Sequence, residues 1–361
     1  MKVFFCGDIV VSKRHNDIIS TDLRKKLSSC NYSVCNLEAP IKQEKCLPIE
    51  KVGPHLSCAP NSIELLNDAG FNIFSLANNH IFDYSLTALN YTKSCINNNG
   101  CDFVGVSGNG RATYEPKVIR GEKKVAIFSA ADCEFGCEKF NENGYAYINS
   151  SKLDKEILKI QCEVDYIILI AHAGVEKIDV PLPEWQKRYR ELIDLGVNVI
   201  VGHHPHVPQG YENYNGGLIF YSLGNFFFDT AGYSENVSYS IILDISNDIS
   251  FELIPHKVIN GKVHIIDQIN ISELNSKIFD DAYIDKVCND IFNERYLPYI
   301  KHSMLGLPET FGFYGFTKSI VKWLLKRNIN RKHRELLFYH LFRVDSHRYL
   351  IERYYRGNYD V

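Results

Sequence analysis

Three histidines within four positions are the strongest chemical signal in this sequence. His203, His204 and His206 follow the largely apolar run Val197–Val201, which is short, β-branched and typical of a buried strand. Ligands of α/β proteins bind at the carboxyl ends of strands, so these imidazoles are predicted to line a site. His204 and His206, on either side of Pro205, could ligate one metal ion or two adjacent ones.

Residues of similar type follow four other strand-like runs. They are Asp8, the pair Asn36 and Glu38, the run Asn78-Asn79-His80, and His172 with Glu176 four residues later. Each of these residues alone has an ordinary explanation, such as a cap, a turn residue or a hydrogen-bonded core histidine. Five such groups on successive strand ends indicate a common, metal-dependent site.

The elements that position these residues alternate between strand and helix patterns. Strands are predicted at Val3–Phe5, Ser33–Leu37, Asn72–Leu76, Val125–Ser129, Tyr166–Ala171 and Leu218–Leu223. Helices are predicted at Asn61–Ala69, Leu86–Asn97 and Pro183–Leu195. A hairpin is predicted at Ser238–Ile245 and Ser250–Pro255, with its turn at Asn247-Asp248 and a further edge strand at Lys262–Ile266. The continuous apolar runs predict strands that are covered on both faces. The fold class is therefore α/β.

The pattern changes after residue 270, which predicts two regions, 1–270 and 271–361. Strand signals disappear after about Ile271, and tyrosine and basic residues accumulate, as expected for a helical C-terminal appendage. The amphipathic segment Ile320–Arg327 could lie on an anionic membrane surface, giving peripheral contact at the inner membrane face, or could engage an anionic polymer. The remaining alternative is a helix that packs on the body with a solvated basic face.

Composition limits the class of protein. The chain has 361 residues, 45% hydrophobic and 23% charged, which is ordinary for a soluble globular protein. Its net charge of −3 gives no overall field for a polyanion, so no nucleic-acid partner is expected. No signal peptide or membrane span is predicted. The eleven cysteines lack a regular spacing, which favours reduced thiols and a cytoplasmic location.

The order of these motifs resembles that of the calcineurin-like metallophosphoesterase superfamily. The closer resemblance is to the bacterial CapA family, whose members serve capsule polysaccharide and poly-γ-glutamate synthesis. It rests on Cys6-Gly7-Asp8, Asn36-Leu37-Glu38, Ser75–His80 with Asp83-Tyr84, His172–Glu176, Gly202–Val207 and Tyr221–Phe226. The resemblance extends from about Lys2 to Phe228 and does not cover the region after about Ile271.

This resemblance implies a four-layer α/β/β/α sandwich of the metallophosphatase type with a metal centre at one edge of its sheets. The implied cofactors are one or two divalent ions, Mn, Zn or Fe. Glu38 would bridge two ions, with Asp8 and His206 on one and Asn79, His172 and His204 on the other. His80 would be the catalytic histidine, which donates a proton to the leaving oxygen or stabilises developing charge.

One residue departs from the superfamily pattern. The first motif of the superfamily is Asp-x-His, whereas Val10 occupies the position of that histidine here. The ion held by Asp8 and His206 is therefore short of a ligand. We expect the site formed by Glu38, Asn79, His172 and His204 to bind its ion more firmly, and the other site to be weak or empty.

Three further residues are predicted to bind substrate. His55 could reach the site from a loop. Glu176 could contact substrate, support His172 or cap a helix, and Asn225 could line the pocket through its amide or form a bare turn.

The sequence leaves two functions open. The first is a metal-dependent hydrolase that acts, through a metal-bound water, on a phosphoester or on a capsular or poly-γ-glutamate-type polymer. The alternative is a non-catalytic, metal-dependent accessory protein for synthesis of that anionic polymer. Val10 favours the accessory function, and His80 favours the enzyme.

Overall fold

The computed structural model describes residues 1–107, 114–139, 143–230, 237–246, 248–305 and 331–359. The chain divides into two compact units. The first contains residues 1–49 and 55–279, and the second contains residues 50–54 and 280–361. The domain boundary after residue 270 stays a prediction.

One sheet of the first unit contains the N-terminal strands together with the C-terminal hairpin. Its described strands are β1 (Lys2–Val10), β2 (Tyr32–Leu37), β3 (Ile73–Ser75), β4 (Asp102–Val104), β11 (Asn225–Phe228), β12 (Ser238–Ile245), β13 (Ile249–Ile259) and β14 (Lys262–Ile265). They are ordered β14-β13-β12-β1-β2-β3-β4, and β11 also pairs with β1. Strand β1 is antiparallel to β12 at its start and parallel to β11 at its end. The predicted hairpin is present, although Asn247 of its turn lies outside the described residues.

The other sheet contains the central strands of the sequence. They are β5 (Lys117–Arg120), β6 (Lys124–Ala131), β7 (Tyr166–His172), β8 (Val199–His203), β9 (Tyr211–Tyr214) and β10 (Gly217–Phe220), ordered β5-β6-β7-β8-β10-β9. The inner strands β6, β7, β8 and β10 are parallel, and the edge strands β5 and β9 are antiparallel to their neighbours. The parallel strands therefore end at the same edge of this sheet.

The two sheets pack face to face between layers of helices. Apolar side chains of both sheets, among them Phe5, Ile127 and Val201, form one buried cluster between them. The helices of this unit are α1 (Thr21–Ser28), α2 (Ser62–Ala69), α3 (Ser85–Asn98), α4 (Ser151–Ile160), α5 (Pro183–Asp194) and α6 (Ile271–Lys277).

Buried residues of α1, α2 and α3 share a second cluster with the outer face of the first sheet. On the second sheet, Ile193 of α5 lies against Gly217 of β10. These layers confirm the expected four-layer α/β/β/α sandwich.

Local sequence signals explain where several helices begin and end. Ser20 and Ser150 accept hydrogen bonds from Leu23 N and Lys152 N, which caps α1 and α4. Gly70 ends α2 in the left-handed region, with φ of 113°, as its sequence position predicts. Asn61 makes no side-chain capping bond to that helix, and its amide nitrogen donates to His15 O.

The described residues after 280 in the second unit are mostly helical. It contains α7 (Asp281–Ile291), a π-helical turn (Phe292–Tyr296), α8 (Leu297–Leu305), α9 (Arg331–Arg343) and α10 (Asp345–Tyr359). The amphipathic segment 320–327 lies outside the described residues. Among the helices that are described, none combines the length and apolar character needed to cross a membrane.

Candidate metal centre

The candidate ligands meet where strands of the two sheets end. Asp8 of β1 lies opposite Asn36 of β2 in one sheet, and His172 of β7 lies opposite His203 of β8 in the other. All four side chains are buried. The face-to-face packing of the sheets thus brings carboxylates from the first sheet to histidines from the second.

Glu38 is the central residue of this cluster. It is fully buried, and neither of its carboxylate oxygens has a hydrogen-bond partner among the described residues. Burial raises the pKa of Glu38 well above its usual range. The positive charge of His206 opposes this shift, whereas the nearby carboxylates add to it; these are Asp8, Glu176 and Glu134. A buried carboxylate without hydrogen-bond partners is costly, and bound cations would offset that cost.

Two groups of side chains could each hold a divalent ion, and Glu38 belongs to both. In the described part of the chain these groups are Glu38, His172 and His204, and Asp8, Glu38 and His206, with the ligand atoms of each group within 4.8 Å of one another. Glu38 Oε1 lies 3.6 Å from His172 Nε2 and 3.5 Å from His206 Nε2. The donor set of carboxylates and imidazoles, with an orphaned carboxylate at its centre, fits a pair of divalent cations.

Asn79 joins the group that contains the two neutral histidines. His172 Nε2 is 3.1 Å from Asn79 Oδ1 and 3.1 Å from His204 Nδ1, so three potential ligand atoms face one point. Burial lowers the pKa of His172 to about 4, although hydrogen bonding to Asp8 opposes the shift. Burial also lowers the pKa of His204 well below its usual value. Both imidazoles are therefore neutral at pH 7, which is the form that binds metal.

Asp8 is held by donors from both sheets. Its Oδ1 accepts from Asn36 Nδ2 at 2.8 Å and lies 3.1 Å from His203 Nδ1, and its Oδ2 accepts from His204 N at 3.1 Å. Burial opposes ionisation, but hydrogen bonds with His172, His203 and His206 hold the pKa of Asp8 well below its usual range. Asp8 is therefore ionised, as a ligand must be.

His206 is oriented by a residue from the first sheet. Asn225 Oδ1 lies 2.9 Å from His206 Nδ1 and accepts from its N–H, which leaves Nε2 to face Glu38. Burial lowers the pKa of His206, but Glu38 and Asp8 together outweigh burial and raise it to about 10. Asn225 was predicted to bind substrate, and the structure places it beside a candidate ligand.

The backbone around the histidines is unusual for these residue types. His204 and His206 have φ of 92° and 59°, in the left-handed region that non-glycine residues avoid at a cost of about 1–3 kcal/mol each. Gly202 precedes them, and a Cβ there would lie 1.9 Å from Tyr221 O of the adjacent chain segment. Only glycine therefore allows that close approach. Strain of this kind is characteristic of functional sites.

A comparison with known families covers most of the chain. The family described as bacterial capsule synthesis protein PGA_cap matches residues 2–230, which include every candidate ligand. The chain belongs to this family.

Its PGA_cap region is similar to two curated Bacillus proteins. It is 29% identical over 231 residues to the capsule biosynthesis protein CapA of Bacillus anthracis, covering 61% of this chain and 56% of that protein. It is 28% identical over 240 residues to the PGA biosynthesis protein CapA of Bacillus subtilis strain 168, covering 62% of each. The chain therefore spans less than two thirds of the length of these relatives.

Solved structures are more distant from the PGA_cap region. A putative 5′-nucleotidase from Staphylococcus aureus is 13% identical with a TM-score of 0.45, covering 80% of this chain and 58% of that one. Zinc-complexed Vps29 from Entamoeba histolytica is 13% identical with a TM-score of 0.30, and the match covers 74% of this chain and 97% of that one.

The predicted catalytic histidine of the PGA_cap region is paired with an aspartate. His80 Nδ1 lies 2.7 Å from Asp83 Oδ2, and the same oxygen accepts from Leu56 N at 2.7 Å. The backbone N–H of His80 donates to Asn78 Oδ1 at 3.2 Å. Asp83 thus fixes the Nδ1 side of the imidazole, and Asn78 holds the backbone of His80 directly after the candidate ligand Asn79.

The other two predicted substrate residues lie in different surroundings. Glu176 is partly buried, and its charge acts on Glu38, His204 and His206. His55 Nε2 donates to Ile49 O at 2.7 Å, so the structure places this ring against the backbone of its own loop. Substrate binding by either residue stays a prediction.

Glu134 of the PGA_cap region was missed as a site residue. Its Oε1 is 3.6 Å from His204 Nε2 and 3.3 Å from Asn79 Nδ2. The sequence signal that could have found it is an acid shortly after the apolar run Val125–Ser129. Asn36 was recognised as a strand-end residue, but its contact with Asp8 was not predicted.

Binding of metal to the PGA_cap site at pH 7 is expected to release about one proton. The pKa of His206 is raised to about 10, so the metal-free site retains a proton that His206 and Glu38 compete for, and a cation on these ligands must displace it. Affinity should therefore rise with pH, about tenfold per unit between pH 6 and 9. Titration calorimetry in buffers of different ionisation enthalpy measures the released proton, and heats independent of the buffer would contradict the assignment.

Proposed function

We propose that this protein is a divalent-metal-dependent hydrolase that cleaves a bond in a capsular or poly-γ-glutamate-type polymer. The observation that carries the proposal is Glu38, a buried carboxylate without hydrogen-bond partners among the described residues, shared by two groups of potential ligands. An arrangement with a shared carboxylate suits two cations, because its negative charge offsets their mutual repulsion.

The ligand residues divide between two cations in this proposal. Glu38 would contact both, Asp8 and His206 would hold one, and His172, His204 and Asn79 would hold the other. When bound, such cations polarise a carbonyl or phosphoryl oxygen and lower the pKa of water.

His80 supplies the proton for the leaving group. Asp83 accepts from Nδ1–H of His80, which fixes the tautomer and leaves Nε2 to carry the transferred proton. The Asp83 carboxylate is buried, and its charge stabilises the imidazolium form. His80 therefore acts as the general acid, and Asp83 acts through His80.

Similarity supports the polymer as substrate. The two Bacillus relatives are named for capsule biosynthesis and for PGA biosynthesis. A phosphoester is the other substrate class that two cations would activate, so it belongs in the same assay.

An accessory function without catalysis is the second candidate. Val10, at the position where the superfamily has a metal-binding histidine, is fully buried among apolar residues. A Mycobacterium tuberculosis relative, 23% identical over 245 residues, is named a probable polyglutamine synthesis accessory protein. The pairing of His80 with Asp83 favours the hydrolase, because a protein that only binds polymer does not need an oriented proton donor.

We also propose a cytoplasmic location, since all eleven cysteines are free thiols in the structure. Cell fractionation with thiol labelling would test it, and disulfide-linked protein recovered outside the cytoplasm would contradict it. Peripheral membrane contact by the basic C-terminal region has no support in the described residues.

The proposed function is tested with the full chain, stripped with chelator and reloaded with Mn²⁺, Zn²⁺ or Fe²⁺. Poly-γ-glutamate shortening on gels and release of nitrophenol from a phosphoester are measured in parallel. We expect metal-dependent cleavage of the polymer that chelator abolishes. Cleavage of the phosphoester alone would overturn the polymer assignment, and no turnover by fully loaded protein would favour the accessory function.

A further inference from the structure

We propose that Glu134 is a positioning residue of the metal centre. Its carboxylate accepts from Asn79 and faces an N–H of His204, which favours the orientations that direct one oxygen and one nitrogen toward the same cation. This inference rests on the metal centre of the proposed function and assigns a role to a residue outside both groups of potential ligands.

The two nitrogens of His204 face different surroundings. Nδ1 lies 3.1 Å from His172 Nε2, on the side of the other candidate ligands, whereas Nε2 lies 3.6 Å from Glu134 Oε1. A neutral imidazole that ligates through Nδ1 carries its proton on Nε2, so the N–H is directed toward a carboxylate. The 3.6 Å separation is longer than a hydrogen bond, and we expect it to shorten when a cation draws electron density from the ring.

The same carboxylate oxygen also fixes the amide of Asn79. Asn79 Nδ2 donates to Glu134 Oε1 at 3.3 Å, while Asn79 Oδ1 lies 3.1 Å from His172 Nε2. An amide can present either its oxygen or its nitrogen to a neighbouring atom, and only the oxygen binds a cation. Because Glu134 accepts from the nitrogen, the oxygen is directed toward the candidate ligands.

The segment that carries Glu134 is anchored before any ligand binds. Glu134 N donates to Tyr145 Oη at 2.9 Å, and that hydroxyl donates to Asp132 O at 2.9 Å. Tyr145 is fully buried, as are Cys133 and Cys137 on either side of Glu134. A side chain held on such a rigid segment can orient ligands with little loss of conformational entropy.

The test uses Co²⁺ as the probe, since its visible absorption spectrum reports ligand geometry as well as binding. Glu134→Gln keeps an acceptor oxygen but loses the charge, and we expect it to weaken Co²⁺ binding about tenfold. Glu134→Ala removes both, and we expect about 100-fold weaker binding with an altered absorption spectrum at saturation. Both variants should still bind as many ions as the wild-type protein.

Glu138→Gln is the matched control. Glu138 lies in the same segment and is 14% exposed compared with 12% for Glu134, but it accepts from Tyr114 Oη and Lys152 Nζ instead of candidate ligands. We expect this variant to bind Co²⁺ with the affinity and spectrum of the wild-type protein, even where its thermal midpoint falls.

Three results would overturn the proposal. Wild-type affinity and spectrum in both Glu134 variants would show that Glu134 does not orient the ligands. Equal weakening in the Glu134 and Glu138 variants would indicate a general effect of the segment. Loss of one bound ion in Glu134→Ala would make Glu134 a ligand. If the wild-type protein itself binds no cation, the proposed function fails together with the role of Glu134. If the wild-type protein binds Co²⁺ and only the expected effects of the Glu134 variants are absent, the role of Glu134 alone fails.

Discussion

Glu38→Gln is expected to abolish cation binding by both groups of ligands and, with it, turnover. Glu38 is common to the two groups of potential ligands, and an amide cannot supply the negative charge that two divalent ions require. Changes to residues that only orient ligands cost about 10–100-fold in affinity, so loss of a shared ligand should cost more than about 100-fold. Metal analysis after gel filtration and the turnover assay measure the two effects.

The same substitution should stabilise the metal-free protein. Burial raises the pKa of Glu38 well above its usual value, so the folded state disfavours the ionised carboxylate. Above the raised pKa this lowers the free energy of unfolding by its full amount, and stability should recover as pH falls through the raised pKa toward the pKa of the unfolded chain. Removal of the charge should raise the free energy of unfolding of chelator-treated protein at pH 7 by on the order of 1 kcal/mol.

Glu212→Gln is a control that should change the free energy of unfolding in the opposite direction. Glu212 is also buried, but its two oxygens accept from Arg190 Nε and Nη2, each at 2.8 Å. The substitution leaves a guanidinium poorly paired, so it should lower the free energy of unfolding and leave metal content unchanged. Retention of two ions by Glu38→Gln, or destabilisation of its metal-free form, would contradict the central role of Glu38.

His80→Ala is expected to lower kcat about 10²–10⁴-fold while the protein keeps its metal. The loss of kcat is expected because the substitution removes the proton donor. The metal is expected to stay because His80 belongs to neither group of potential ligands. Asp83→Asn should also lower kcat, because an amide no longer fixes the proton on Nδ1 or stabilises the imidazolium. Steady-state kinetics together with metal analysis separates this effect from loss of the cofactor.

A second histidine–aspartate pair serves as the control for this prediction. His15 Nε2 lies 2.8 Å from Asp229 Oδ2, a distance similar to that of the His80 pair, but neither residue contacts a candidate ligand in the described contacts. His15→Ala should therefore leave kcat unchanged. Wild-type kcat in His80→Ala would show that this histidine is not the general acid.

Residues at strand ends could be singled out from the sequence. Asp8, Glu38, His172, His204 and His206 were singled out because each follows an apolar run, and the structure brings all five together. The chemical type of a residue and its position at the end of a strand are both local properties. They can therefore be inferred without knowledge of how the strands pair.

The sequence by itself determined the alternation of strands and helices and the ligand-type residues at the strand ends. The tertiary structure decided how the strands divide between two sheets, and it decided that β11 returns beside β1, where Asn225 lies opposite Asp8. It also showed that Glu38 lacks hydrogen-bond partners among the described residues and that Glu134 approaches His204. These facts depend on contacts between residues far apart in the chain, and such contacts leave no periodic pattern in the sequence around either residue.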